Sequence, residues 1–269
     1  MAVWGLNFPV AKLGVADIPP ILLISLRWVL VAALALPFCR LPTGRWRQLV
    51  WLSGVLGIAH FALNFTGIKL LDAATASVVA QVQVPIAALL GVVVDRERPG
   101  LARIAGMVVA FAGVVVIAGE PRILEQPAGV ILMVAGATCW ALGGLIAKRL
   151  TDLTPLAVNG WMAVLSAPGL FAVSLVAESG HWAALTTPTW NGWFAVVYMA
   201  GPVTVFGYGL WYRLMRRHPV STLMPFMLLV PMFGVVSSAV WLGDPLTPRF
   251  LLGAAITLAG LAVLIRVRR

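Results

Sequence analysis

Charge is scarce in this chain. Only 10% of its 269 residues are charged, and nine of them are acidic; an ordinary soluble domain carries about 25%. A soluble globule cannot cover its surface with so little polarity, so a composition that is 61% apolar indicates a polytopic membrane protein. No acid falls in the middle of an apolar run, which argues against a carboxylate-based proton or sodium site. Histidine is scarcer, with three scattered copies, and the two cysteines, Cys39 and Cys139, have no His or Cys neighbours. An enzyme or metal centre needs such groups clustered at one membrane depth. No catalytic residue, metal or cofactor is therefore expected, and the thiols are expected to be free and buried. Nor is there a basic n-region with a small-residue cleavage site, so a cleaved signal peptide is not expected. The first run opens on Met1 with no hydrophilic lead, as expected if the numbering begins inside the first helix of a longer product, or if that helix is short.

What is present is apolar sequence broken by charged punctuation. Ten runs stand out, at roughly 2–16, 20–38, 48–69, 72–94, 100–119, 127–147, 155–177, 190–212, 219–242 and 247–265. Most reach the roughly 20 residues that cross about 30 Å of hydrocarbon as a helix. None alternates like a barrel strand, and lipid offers backbone groups no partner, so the fold class is all-α with ten transmembrane helices. The formal charge of +10 invites a nucleic-acid reading, but its distribution opposes one. Alternate loops hold fourteen basic residues (Arg40, Arg45, Arg47, Arg96, Arg98, Arg103, Lys148, Arg149, Arg213, Arg216, Arg217, Arg266, Arg268, Arg269) against four (Lys12, Lys69, Arg122, Arg249). That asymmetry predicts both termini cytoplasmic and no nucleic-acid partner; the expected location is the bacterial cytoplasmic (inner) membrane.

The sequence is also written twice. WGLNFPVAK, with Trp4 and Lys12, returns as WALGGLIAK, with Trp140 and Lys148, and Pro19 and Pro155 keep the same offset of 136. Pro85, Glu97, Gly106 and Gly113 are followed by Pro231, Asp244, Gly253 and Gly260, with an offset of 147 from acid to second glycine. The difference places an insertion of about ten residues in the second copy, mostly between Glu178 and Thr189. The copies are 1–119 and 127–269, and five runs in each is an odd number, so the second inserts inverted. GMVVAFAG and GAAITLAG put glycine at i and i+7, a face that lets another helix approach closely. Runs five and ten are accordingly expected to be supports away from a solute path.

Together, WG-x-N-F-x-x-x-K in run one, Arg27 in run two, the Pro85 helix ending at Glu97 and the paired glycine helices resemble the drug/metabolite transporter superfamily, within it the EamA-type ten-helix members. In length and aromatic content the chain is similar to the aromatic amino-acid exporter branch. Departures are the short first run, the lack of a second Arg matching Arg27, and Asp244 where Glu is commoner. The resemblance implies helices one to four and six to nine around a central cavity, and a secondary transporter exporting aromatic or other neutral amino acids, or related small metabolites, by alternating access. The alternative is an exporter or importer of another small solute, such as a drug, nucleoside or sugar derivative. A small solute and the lipid bilayer are the only partners expected, with the chain working as a monomer.

Candidate residues follow from the cost of burying polarity in lipid. His60, with Asn64 one turn later on the same face, either lines a polar cavity and binds solute or protons, or is a neutral histidine bonded to a neighbouring helix. Ser77, Gln81 and Pro85 form a stripe on run four, and Asn7 is comparable on run one; interhelical bonding is the competing role. Trp140, Trp161, Tyr198, Tyr208 and Met227 offer stacking and adaptable walls, or ordinary core. Pro85 and Pro231 are expected hinges. Lys12 and Lys148 belong at opposite surfaces, as do Glu97 and Asp244, each acid placed to accept from a neighbouring helix N-terminus. Lys12, Glu97 and Asp244 are read as gate residues. Arg27 is grouped with them, either binding a carboxylate or, the favoured role, snorkelling outward to loop carbonyls or Asp17.

Overall fold

The computed structural model describes residues 1–94, 100–124, 127–187, 189–218 and 223–267. Among the described residues there is no β-strand, and the chain runs as a succession of apolar helices. Helix α1 joins Ala2–Gly5 to Asn7–Asp17, and α2 is Pro20–Ala35 with the 3-10 turn Leu36–Phe38. Helix α3 joins Trp46–Leu52, a π-helical stretch Ser53–His60, and Phe61–Leu70. Helix α4 joins Ala73–Val79, the 3-10 turn Ala80–Val82, and Gln83–Val94. Then come α5 (Leu101–Ala118), α6 (Ala128–Ala147) and α7 (Pro155–Ala177). Helix α8 joins Trp190–Tyr198, a π-helical stretch Met199–Tyr208, and Gly209–Arg217. Helix α9 opens with the 3-10 turn Met224–Leu228 and continues over Leu229–Leu242, and α10 is Pro248–Val267. Among the described residues, seven helices are long and apolar enough to cross a membrane, and Ile104–Ala118 and Phe226–Leu242 are shorter apolar helices. The chain is a polytopic helical membrane protein.

Four of the five irregular stretches fall five helices apart, π-helix in α3 and α8 and a 3-10 turn in α4 and α9, while the turn Leu36–Phe38 that ends α2 has no counterpart in α7. Proline accounts for three of them. Pro85 and Pro231 lack the N–H that would bond the carbonyls of Gln81 and Met227 and crowd them, so the preceding turn tightens. Pro202 lies inside the π stretch of α8, where the Thr204 hydroxyl donates to the Met199 carbonyl at 2.7 Å. In α3 no proline is present. There the stretch holds Gly57, where a Cβ would overlap the Ser166 side chain of α7.

Packing follows the same relation. Helix α2 lies along α7, α3 along α6, α8 along α1, α4 along α9 and α6, and α9 along α1. Exchanging α1–α5 with α6–α10 reproduces this pattern. Helices α5 and α10 pack chiefly on each other, with their own small core of Met107, Ala110, Leu261 and Leu264 apart from the main one. Their seam is glycine: a Cβ on Gly113 would come 2.6 Å from the Gly253 carbonyl oxygen, and one on Gly106 would come 3.1 Å from that of Gly260. Backbones this close gain dispersion without hydrophobic help.

The loop from Glu178 to Thr189 contains a short helix, His181–Thr186, and performs a capping role. The Glu178 carboxylate accepts from the Ile21 and Leu22 N–H groups at 2.8 and 3.1 Å. A carboxylate at a helix N-terminus satisfies orphan donors and complements the dipole.

Candidate functional site

Where α2, α3, α6 and α8 meet, the core turns polar. Arg27 is 3% exposed. Its guanidinium donates to the Thr204 hydroxyl at 2.9 Å and lies 5.0 Å from the Trp28 ring centre and 4.8 Å from that of Phe61. Trp28 and Phe61 meet edge to face at 5.2 Å. His60 packs on Phe61 at 4.6 Å, and its Nδ1 lies 2.8 Å from the Gly136 carbonyl oxygen. That acceptor requires the proton on Nδ1. Gly136 brings α6 close, since a Cβ there would sit 3.3 Å from the His60 carbonyl oxygen. Tyr208, one turn beyond Thr204, is within electrostatic reach of Arg27 and packs on Trp4 at 5.3 Å. A small cavity of about 50 Å³ between α2, α7 and α8 is walled by Val31, Ala35, Asn159, Thr204 and Tyr208. It is far below the roughly 300 Å³ at which ligand pockets begin, so a solute needs the helices to part.

The energetics of Arg27 are unusual. Taking a guanidinium out of water costs several kcal/mol even after relaxation. A hydrogen bond from a charged donor contributes about 1.5–3 kcal/mol and a desolvated cation–π contact about 2 kcal/mol. The two rings and the hydroxyl are thus at best comparable with the cost, and none carries negative charge. Arg27 Nε and Trp28 Nε1 are buried with no hydrogen-bond partner. The described acids are all engaged near helix ends: Asp17 by Thr189, Asp72 by Thr75, Glu120 by Thr247, Asp152 by Arg45, Glu178 by α2 and Asp244 by α4. Arg27 does not snorkel to Asp17 or loop carbonyls, the role favoured from sequence; Asp17 is held by Thr189 instead. Arg27 reaches across to α8 because Thr204, inside the π stretch, faces it.

A second polar cluster ties helix ends together at one end of the bundle. Lys12 Nζ lies 3.1, 2.9 and 2.5 Å from the carbonyl oxygens of Ile68, Lys69 and Leu71, a cation on the negative C-terminus of α3. Beside it, Asp244 accepts from the Ala74 N–H at 2.8 Å, an acid on the N-terminus of α4, as its place after α9 predicts. Asp72 also lies within electrostatic reach of both. Burial holds the Asp244 carboxyl above the usual carboxylate range, against the pull of the Ala74 N–H. Four helix ends are thereby joined by two side chains. Glu97, the matching acid, lies outside the described residues.

The remaining predicted residues divide. Asn64 is buried one turn after His60 and lies against Gly136, which puts it beside the central cluster, and Trp140 is half-buried one turn after Gly136. Ser77 and Gln81 are buried but bond locally, Ser77 to the Ala74 carbonyl at 2.8 Å and Gln81 to the Ser77 carbonyl at 3.4 Å. Ser77 faces Gly234 of α9, a packing contact. Trp161 is away from the centre; its Nε1 donates to the Arg40 carbonyl at 2.9 Å and its ring meets Trp46. Tyr198 ties α8 to the Val3 carbonyl of α1 at 3.0 Å. Asn7 leaves its buried Oδ1 without a partner, and Met227 is half-buried in the turn ahead of Pro231. Sequence reasoning missed Thr204, Trp28 and Phe61. The available signal was that Thr204 alone among Ser and Thr falls in residues 190–212, two positions after Pro202. Among the described residues, no three of His, Cys, Asp or Glu are grouped to hold a metal ion, and Cys39 and Cys139 are free thiols.

Comparison with known proteins adds to this geometry. The profile of the EamA-like transporter family matches residues 1–119 and again 127–266. The chain is 34% identical over 282 aligned residues to a "Probable amino-acid metabolite efflux pump" of Salmonella typhimurium, covering 100% of this chain and 94% of that one. It is 31% identical to a protein of the same description from Escherichia coli, covering 98% and 91%. It is 28% identical to a "Probable terminal-alkyne amino-acid exporter" of Streptantibioticus cattleyicolor, covering 98% and 90%. One solved crystal structure superposes with a TM-score of 0.67 at 24% identity, covering 99% of this chain and 95% of its own, a likeness of fold.

Proposed function

Because the chain belongs to the EamA-like transporter family, we propose that it exports amino acids, aromatic or other neutral, or closely related small metabolites from the bacterial cytoplasm by alternating access. On this reading ten helices cross the inner membrane as two inverted halves, 1–119 and 127–269, with both termini cytoplasmic. The Lys12 end then faces outward, and α5 with α10 stands outside the moving parts. The descriptions of the relatives as amino-acid metabolite efflux pumps and an amino-acid exporter support the solute class. The mechanism rests on one observation. Polar side chains that no lipid-facing role explains are buried between helices of both halves, while Lys12 and Asp244 tie helix ends together at one end.

Transport then requires little chemistry. The halves part at the basic end, a solute enters beside Thr204 and Tyr208, and the central cluster exchanges internal contacts for contacts with it. Release needs the Lys12–α3 and Asp244–α4 bonds to break while the basic end closes. The prolines of α4 and α9 and the π stretches of α3 and α8 leave carbonyls and slack where bending is needed. Purified protein in liposomes loaded with labelled phenylalanine, threonine or methionine should give protein-dependent efflux of at least one. Absence of efflux for all three would sink the solute class.

A further inference from the structure

The central cluster contains a cation that has no negative partner among the described residues. Arg27 is buried, its Nε has no acceptor, and the neighbouring Trp28 Nε1 has none either. Both orphaned atoms are donors, and every described acid is engaged elsewhere. Orphaned buried donors beside a full positive charge are the complement of a carboxylate, which offers two acceptor oxygens to a planar fork. The groups around them match the other end of an amphipathic acid. Phe61 and Trp28 flank the guanidinium, and Trp4 and Tyr208 continue the aromatic surface toward the cavity. The Thr204 hydroxyl, which also walls that cavity, occupies one arm of the fork.

We propose that Arg27 is the docking point for the carboxylate of the transported solute, with Trp28 Nε1 as a second donor and Thr204 as the group it displaces. This rests on the export reading and narrows it. The substrates are carboxylic acids with an apolar body, amino acids among them, and the carboxylate rather than the amine is what the site requires. Neutral drugs, nucleosides and sugars lack the recognised group. Thr204 acts as a positioning residue, since it holds the guanidinium toward the cavity until the solute arrives.

The test pairs each solute with its carboxamide, phenylalanine against phenylalaninamide, and includes 3-phenylpropanoate, which keeps the acid and drops the amine. In liposomes containing the wild-type protein, unlabelled phenylalanine and 3-phenylpropanoate should slow efflux of labelled phenylalanine, and the amide should be at least tenfold weaker. In detergent, the acids should raise the thermal midpoint of the wild type and leave that of Arg27→Met unmoved. Because the cation is a cost in the unliganded protein, Arg27→Met should also melt no lower than the wild type while losing transport. Arg27→Lys, which keeps charge but not the fork, should transport with a raised KM. Equal competition by acid and amide would overturn the assignment of Arg27 and leave the exporter reading standing. So would an Arg27→Met protein that melts well below the wild type and is still stabilised by the acids. If no solute leaves the liposomes and no acid shifts the wild-type midpoint, both readings fail.

Discussion

The Lys12 ammonium on α1 lies 2.5 Å from the Leu71 carbonyl oxygen, at the turn where α3 gives way to α4. With the Ile68 and Lys69 carbonyls it forms a clasp on the C-terminus of α3. A charged donor to neutral acceptors contributes about 1.5–3 kcal/mol per bond, and 1.4 kcal/mol is about a tenfold change in a population. Lys12→Met should therefore open this end more often. The reporter is Thr75→Cys, fully buried beneath the clasp, in a Cys39→Ser, Cys139→Ser background. Labelling by a membrane-impermeant maleimide from the Lys12 side should speed up at least about tenfold; an unchanged rate would remove Lys12 from the gate.

Asp244 makes the same end sensitive to acid. Its carboxyl is held above the usual value by burial in the closed state. It returns toward about 3.9 when opening exposes it to water. The closed state thus binds the proton more tightly, and acidification favours closure in the window between neutrality and the ordinary carboxylate value. Maleimide reacts with the thiolate, so its rate falls with pH for any thiol; the quantity to follow is the Thr75→Cys labelling rate divided by that of the same reporter in an Asp244→Asn background at each pH. That ratio should fall as the outer pH falls through the window, and a rising ratio would reverse the sign.

The α5–α10 seam should tolerate no added carbon. A Cβ at Gly113 would stand 2.5 Å from the Thr257 nitrogen and 2.6 Å from the Gly253 oxygen, both backbone atoms. Gly113→Val should cost about 1–3 kcal/mol by overpacking, read as a lower thermal midpoint, with the KM of the folded fraction unchanged. A raised KM at normal stability would put α5 on the solute path.

Pro85 and Pro231 follow the 3-10 turns of α4 and α9. Replacing either by alanine restores an N–H to the Gln81 or Met227 carbonyl and straightens the helix. Pro85→Ala and Pro231→Ala are each expected to raise the thermal midpoint and lower kcat severalfold with KM little changed, the signature of a stiffened moving part. Unchanged turnover in the double variant would show the prolines to be shape alone.

His60 has its Nδ1 proton committed to Gly136. His60→Ala should lower stability by about 1–3 kcal/mol, the usual cost of an abandoned buried partner, while the pH profile of transport keeps its shape. A flattened profile would instead make His60 a proton carrier.

Much of this fold is legible in the order of residues. The apolar runs mark the helices to within a few residues, because hydropathy is a sum along the chain and lipid permits few alternatives to a helix. The paired glycines of runs five and ten announce a close seam, and the structure has it. Asp244 is likewise legible, since an acid just after a helix end has few partners other than a neighbouring N-terminus. Arg27 was not. Its depth in run two was visible, but its partner stands 177 residues away on a helix whose winding is altered at Pro202. Ser77 and Gln81 differ in the opposite sense. Their stripe is present, but its local bonds and the approach of Gly234 to Ser77 were not legible.

By itself, the sequence determined the membrane class, the helix positions, the skewed charge and the repeated spacing, all properties summed over local stretches. Only the tertiary structure decided which buried polar groups meet. That depends on how far each helix is rotated about its axis, which packing, prolines and π turns set together. Thr204 on Arg27, Gly136 on His60 and three carbonyls on Lys12 are the outcome. Among the described residues Arg27 has no negative partner, because every described acid is engaged near a helix end.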